Sequence, residues 1–266
     1  MTRRATPAEW LIFLTLGFCW GSSYLFIKLA VDDFGTFTLV ALRLLIGAGL
    51  LWTVVLFSRV ELPRDPRVYG HLVVMATLNI ALPFSLITWA ENSVDSSLAS
   101  ILTTPVPLFA AVLAPFFLPD EPLRVNGLAG LAIVFIGVFI LTSPDLSASS
   151  GELVGALALL AAACSYACGA IYARRNVRGL RPMVPAVLQV TFGCLIAGTL
   201  AFVFEHPLAV TPDAQAIFAI VWLGLLGSGL AYLCFFRLIG PWGATRVTMV
   251  AYLLPAVGIV LGYLVP

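Results

Sequence analysis

The sequence predicts an all-α integral membrane protein, and three observations predict it: an apolar composition, nine apolar stretches of spanning length, and arginine gathered on one side of them. Hydrophobic residues make up 61% of the 266 residues and charged residues 10%, with a mean hydropathy of +1.05. A soluble domain carries about a quarter charged residues, so this chain lacks the polar surface that water requires. The net charge of +1 exerts no pull on nucleic acid. Cys19, Cys164, Cys168, Cys194 and Cys234 all fall within apolar runs, without metal-ligand spacing, and buried free cysteine packs as a small hydrophobe. Neither a metal nor a cofactor is implied.

The nine stretches run at about 10–30, 36–58, 68–90, 96–118, 124–142, 152–173, 183–204, 214–236 and 245–265. Each is near the ~20 residues a bilayer core requires. The need to satisfy every backbone group in lipid makes them helices. Short connections hold the Pro, Asp and Arg clusters, such as Leu62-Pro63-Arg64-Asp65-Pro66-Arg67 and Ser143-Pro144-Asp145. The first stretch follows Arg3-Arg4 but is too long for a signal-peptide core and has no small-residue exit, so it reads as a retained span.

Alternating the spans places 12 of the 14 basic residues on one side: Arg3, Arg4, Arg59, Arg64, Arg67, Arg124, Arg174, Arg175, Arg178, Arg181, Arg237 and Arg246. The opposite connections hold Lys28, Asp32, Asp33, Glu91, Asp95, Asp145, Glu152, Glu205 and Asp213. The positive-inside rule then sets a cytoplasmic N-terminus in a multi-pass protein of the cell (inner) membrane.

The two halves of the chain align. At an offset of 146, Trp20 meets Tyr166, Phe26 meets Tyr172, Lys28 meets Arg174, Arg43 meets Gln189 and Gly47 meets Gly193. At an offset of 148, Phe84 meets Tyr232, Ser100 meets Thr248, Thr104 meets Tyr252 and Pro107 meets Pro255. A five-span unit has an odd number of crossings, so its two copies face opposite ways, the inverted-repeat plan of many secondary transporters. The expected division is 1–142 for spans 1–5 and 151–266 for spans 6–9. The counterpart of Val125–Leu141 is missing, and the repeat logic expects a tenth span.

Cys-Trp-Gly-Ser-Ser-Tyr at 19–24, Arg43 in the second span, and the Ser-Leu-Ala-Ser-Ile-Leu-x-x-x-x-Pro block at 97–107 resemble the EamA-like branch of the drug/metabolite transporter superfamily. Leu118-Pro119-Asp120-Glu121 is similar, with departures, to the Leu-Gly-Glu that closes the family's fourth span. The resemblance covers the whole chain as two tandem domains, the second cut short. It implies a ten-helix carrier whose cavity is lined mainly by spans 1, 3, 4, 6, 8 and 9.

No span has an acid in its central part, and His71 and His206 lie at span edges. Proton relays usually rest on such a group within the membrane, so a carboxylate-switched antiporter is not supported, with coupling through Glu91 at the cavity mouth left open. A nucleotide sugar or phosphate needs basic partners, and only Lys28 and Arg43 offer them. Arg43 has two readings, a residue snorkelling outwards to Asp32 or Asp33 and an anchor for a substrate carboxylate near the outer gate.

Neutral and aromatic groups remain. Ser100, Thr104 and Pro107 share one helix face, and their mates Thr248, Tyr252 and Pro255 repeat it. Trp20 and Tyr24 share a face of span 1 opposite Tyr166, and Asn79 lies in span 3 with Phe84 and Trp89 nearby; Tyr232 is the mate of Phe84. These eleven residues other than the prolines are the candidates for the pathway, each with a packing reading beside it. Pro107 and Pro255 are the candidate gates. The expected function is export of a small metabolite or xenobiotic, amino-acid-like, aromatic or cationic, by alternating access, with a nucleotide-sugar carrier and a channel or assembly subunit as rivals. An enzyme would need a nucleophile, metal cluster or paired acids at membrane depth, and the sequence has none. The expected partners are the bilayer and a small-molecule substrate, with pairing into a homodimer left open.

Overall fold

A computed structural model describes residues 5–118, 125–141, 150–177, 179–242 and 247–264. The Arg3-Arg4 pair, the 119–124 stretch with its Asp-Glu, and the Ser143-Pro144-Asp145 connection lie outside the described residues. Within them the chain is helical and has no strand. The helices are α1 (Pro7–Lys28), α2 (Thr36–Phe57), α3 (Pro66–Ala90), α4 (Ser96–Phe117), α5 (Val125–Leu141), α6 (Ser150–Asn176) and α7 (Met183–Phe204). Two more follow: α8, continuous through Ala214–Trp222, Leu223–Leu230 and Ala231–Trp242, and α9, made of Thr248–Tyr252 and Leu254–Leu264.

Seven helices among the described residues are long and apolar enough to cross a membrane: α1, α2, α3, α4, α6, α7 and α8. Shorter apolar stretches lie in α5 and α9. Large side chains such as Leu56, Phe57, Phe116, Ile133, Phe202, Phe204 and Tyr263 are exposed. Water would make such a surface unstable, whereas lipid solvates it. The chain is a multi-pass membrane protein.

Local chemistry sets the helix ends. Thr6 and Glu9 form a reciprocal capping box at α1, and Asp213 caps α8 by accepting from Ala216 N at 2.7 Å. The start of α2 lacks a cap of its own. Glu205, just past α7, supplies it: its carboxylate accepts from Phe37 N at 2.9 Å, Thr38 N at 2.8 Å and Thr38 Oγ1 at 2.6 Å. An anion is favoured there by the unpaired N–H groups and the helix dipole. A Cβ at Gly35 would meet that carboxylate at 2.3 Å, which is why glycine precedes the helix.

Four helices depart from α geometry. Thr77–Ala81 in α3 and Leu223–Leu230 in α8 are π-helical, a form that is rare and frequent at functional sites. In α4 the helix stops at Leu102 and restarts at Val106. The prolines therefore do not sit inside a continuous helix, as a kinked span would require. Pro105 is the N-cap of the second half and Pro107 lies in its first turn, where a missing N–H deprives nothing of a partner. Thr104 donates its hydroxyl and its backbone N–H (3.1 Å) to Ile101 O, the carbonyl that Pro105 cannot serve. In α9 a short Thr248–Tyr252 turn precedes Leu254, and Pro255 again falls in the first turn of the restarted helix.

The core is a mutual embrace of the two halves of the chain. α2 packs along α7, α1 along α9 and α8, and α6 along α3 and α4; α4 meets α9. Glycine permits the closest approaches. A Cβ on Gly47 of α2 would lie 2.7 Å from Ser228 Cβ of α8, and one on Gly193 of α7 would lie 2.7 Å from Ile80 Cγ2 of α3.

Candidate functional site

The site grows from the buried stripe of α2. Leu39, Val40, Arg43, Leu44, Gly47, Ala48, Leu51 and Val55 are buried and recur at the three- and four-residue spacing of one helix face. Arg43 belongs to this face and is 3% exposed. It does not snorkel outwards, and Asp32 and Asp33 are exposed at the surface. Instead Arg43 Nε donates to Ser228 Oγ at 3.2 Å, and the guanidinium lies over the Phe84 ring at 4.4 Å from its centroid. Phe84 gives the cation a π face in an interior with little water. The guanidinium can come this deep because residue 227 is glycine, where a Cβ would stand 3.1 Å from Arg43 Nη2.

Around this cation gather three tyrosines, Tyr24 of α1, Tyr166 of α6 and Tyr232 of α8, all within electrostatic range of Arg43. Tyr24 shares a hydrogen bond with Thr103 Oγ1, and Thr103 passes its own proton back to Ala99 O at 3.0 Å. Trp20 stands edge-on to Tyr232 at 6.0 Å and donates its Nε1 to Gly227 O at 3.2 Å. Trp20, Tyr24, Phe84, Tyr166 and Tyr232 thus converge on Arg43, joined by Ser228.

The other candidates are placed differently. Asn79 donates to Gln189 Oε1 at 3.2 Å and so belongs to the contact between α3 and α7. Ser100 is buried, donates to Ser97 O at 2.7 Å, and packs where Gly258 of α9 makes room. Thr104 serves Ile101, and Pro107 and Pro255 open their restarted helices. Trp89 is 46% exposed and Tyr252 60% exposed, and neither faces the Arg43 group. The side chain of Thr248 lies outside the described residues.

Both π-helical turns are held by the same kinds of contact. In α8, Trp20 of α1 binds Gly227 O and Arg43 of α2 binds Ser228. In α3, Ser165 of α6 binds Leu78 O at 2.7 Å, and Gln189 of α7 accepts from Asn79. A π turn leaves carbonyls short of helical donors, so a side chain from the neighbouring helix is the natural partner in lipid.

Two participants were not among the site residues expected from sequence. Ser228 looked like one serine in a glycine-rich run, and only the approach of α2 at Gly47 gives it a role. Glu91, placed by sequence at a span end, is 0% exposed. Phe84, Thr88 and Glu91 follow at four and three residues and all are buried, so the α3 periodicity held the signal. Glu91 lies one residue beyond the span, yet burial pushes its carboxyl well above the ordinary carboxylate range, with Lys28 and then Arg43 pulling the other way. Lys28 Nζ donates to the Glu91 backbone carbonyl at 2.7 Å.

Among the described residues, seven long apolar helices around an apolar core that holds one buried cation and its aromatic hydroxyls make a multi-pass membrane protein. The chain belongs to the EamA-like transporter family, whose model matches residues 8–143 and again 153–265. That is a family of transporters, not of enzymes. The chain is 23% identical over 246 residues to the uncharacterized transporter YoaV of Bacillus subtilis, covering 92% of this chain and 84% of that one. It is 26% identical over 244 residues to the uncharacterized inner membrane transporter YedA of Escherichia coli, covering 91% and 78%. It is 25% identical over 253 residues to a probable amino-acid metabolite efflux pump of Escherichia coli, covering 90% and 81%. One crystal structure, 21% identical, matches with a TM-score of 0.67 over 97% of this chain and 89% of the other, a likeness of fold.

Proposed function

We propose that this protein is an inner-membrane carrier that exports small, carboxylate-bearing amphipathic metabolites of amino-acid type by alternating access. The observation that carries the substrate class is the buried Arg43, held over Phe84 with its Nε on Ser228 and tyrosines around it. Among the described residues Nε–Ser228 is the one hydrogen bond of the guanidinium, so its terminal nitrogens are left for a planar anion. A fixed interior cation repels organic cations, which narrows the three classes the sequence left. A nucleotide sugar would need several such groups.

Alternating access rests on an inverted repeat of 1–142 and 151–266, and the packing supports that division. Exchanging α1 with α6, α2 with α7, α3 with α8 and α4 with α9 maps most of the principal helix contacts onto one another, the α1–α4 contact being an exception. Gly47 on Ser228 becomes Gly193 on Ile80, at equal separation. The π turns exchange, as do the restarts at Pro107 and Pro255. Two mirrored halves of one packing can rock to expose the Arg43 group to either side in turn. Arginine gathered at the end bearing Arg59, Arg64, Arg67, Arg174 and Arg175 supports a cytoplasmic N-terminus, and the relative named as an efflux pump supports export.

The test is exchange in proteoliposomes with radiolabelled L-phenylalanine, L-threonine and tetraphenylphosphonium. Saturable exchange of an amino acid is expected, reduced at least about tenfold by Arg43→Gln, with no movement of tetraphenylphosphonium. Ohmic conductance in a planar bilayer, or exchange indifferent to Arg43, would sink the reading.

A further inference from the structure

Glu91 is the one acid drawn into the interior among the described residues, and it arrives there against expectation. Its neighbours Asn92, Ser93 and Asp95 are exposed. Both Glu91 carboxyl oxygens are buried without a hydrogen-bond partner, as is Thr88 Oγ1 three residues earlier. Burying an ionised carboxylate without donors is far costlier than burying the neutral acid. The groups around it are few. Lys28 and Tyr24 approach from α1 and Arg43 from α2, and Lys28 donates to the Glu91 backbone carbonyl rather than to its carboxyl. The facing stretch of α6 is mostly small and apolar, with Cys164, Tyr166 and Cys168 the titratable groups along it and Glu152 at its start; Asp95 at the start of α4 is exposed.

We propose that Glu91 is the coupling site of the carrier, holding a proton when the substrate site is empty and giving that proton up to water when its carboxylate pairs with the ammonium group of an amino-acid substrate whose own carboxylate sits on Arg43. This rests on the carrier reading above. Arg43 and an ionised Glu91 present one positive and one negative group, the complement of a zwitterion. Binding therefore releases one proton from the Glu91 carboxyl to water at the open face, and substrate departure lets a proton return from the other face. One proton moves against each substrate, so an inward proton gradient drives export. The Thr88 hydroxyl, free one turn away, is placed to donate to the carboxylate once it ionises.

Two readouts test this. In nanodiscs, an infrared pH titration should show a protonated-carboxyl carbonyl band persisting at neutral pH in the wild type and missing in Glu91→Gln. Absence of that band in the wild type overturns the proposal. In proteoliposomes, an imposed pH gradient should drive accumulation of whichever of L-phenylalanine or L-threonine the wild type exchanges. Glu91→Gln should lose the response to the gradient, and Glu91→Asp should keep it with a shifted pH optimum, which also shows that the site still folds. A gradient response retained in Glu91→Gln, or exchange in the wild type that ignores the gradient, overturns this proposal and leaves the carrier standing. A wild type that moves neither amino acid overturns both.

Discussion

Arg43 Nε and Ser228 Oγ stand 3.2 Å apart, joining the second helix to the π-helical turn of the eighth across 185 residues of sequence. Gln189 of α7 likewise accepts from Asn79 in the π-helical turn of α3 at 3.2 Å. The two contacts are alike and their chemistry is not: one carries a charge, the other a neutral amide. Gln189 shows that an amide can hold such a turn. Arg43→Gln should therefore keep a melting temperature close to wild type while the exchange rate falls at least about tenfold, roughly 1.4 kcal/mol. A variant that unfolds in detergent would make Arg43 a structural residue instead.

Glycine positions separate by what they face. At Gly47 and Gly193 a Cβ meets a neighbour at 2.7 Å, whereas at Gly49 and Gly198 it meets nothing within 4 Å. Gly47→Ala and Gly193→Ala should each destabilise by about 1–3 kcal/mol, the usual scale of overpacking. Gly49→Ala and Gly198→Ala should stabilise by up to about 1 kcal/mol through helix propensity. Thermal denaturation of the four variants reads the opposite signs directly.

Much of this was legible in the sequence and some was not, for physical reasons. Apolar length and the positions of proline and glycine carried the helices and the places of close approach at Gly47 and Gly193, because backbone satisfaction in lipid leaves few alternatives. Arg43 was visible with its direction left open: the distance from a span end allowed snorkelling beside an inward reading, while the stripe Val40, Leu44, Gly47, Leu51 already placed it inwards. Trp89 and Tyr252 show the converse. An aromatic ring serves a pathway or a lipid boundary equally well, and only the packing of neighbouring helices separates the two. The π turns had no sequence signal, since they arise where α2 and α7 press against α8 and α3.

The Glu205 carboxylate at the start of α2 is a cap supplied in trans by α7. Glu205→Ala removes three acceptors from Phe37 and Thr38 and should cost about 1–2 kcal/mol, the scale of an N-cap with its dipole contribution. Glu205→Gln should lie between, keeping an oxygen but not the charge. Equal melting temperatures for all three proteins would show that this end of α2 frays without consequence.

Pro107 and Pro255 each sit in the first turn of a restarted helix, where alanine removes no strain and adds an N–H. Pro107→Ala with Pro255→Ala frees the backbone of those first turns and should slow exchange more than it weakens substrate binding. Measuring turnover against half-saturation in the same proteoliposomes separates these effects. Unchanged turnover would mean that the breaks shape the site but do not move.

Glu91 gives stability a defined pH slope. Its carboxyl holds a proton in the folded protein above the pH at which the unfolded chain, near 4.5, releases it. The folded state then binds more protons than the unfolded state, so stability falls as pH rises from about that value until the folded group itself ionises, with a limiting slope of about 1.4 kcal/mol per pH unit. Glu91→Gln cannot titrate and has no such slope. The variant's melting temperature should match or trail the wild type in mild acid and exceed it increasingly towards neutral and alkaline pH. Parallel curves for the two proteins would mean that the carboxyl is ionised throughout and is solvated in a way its burial does not reveal.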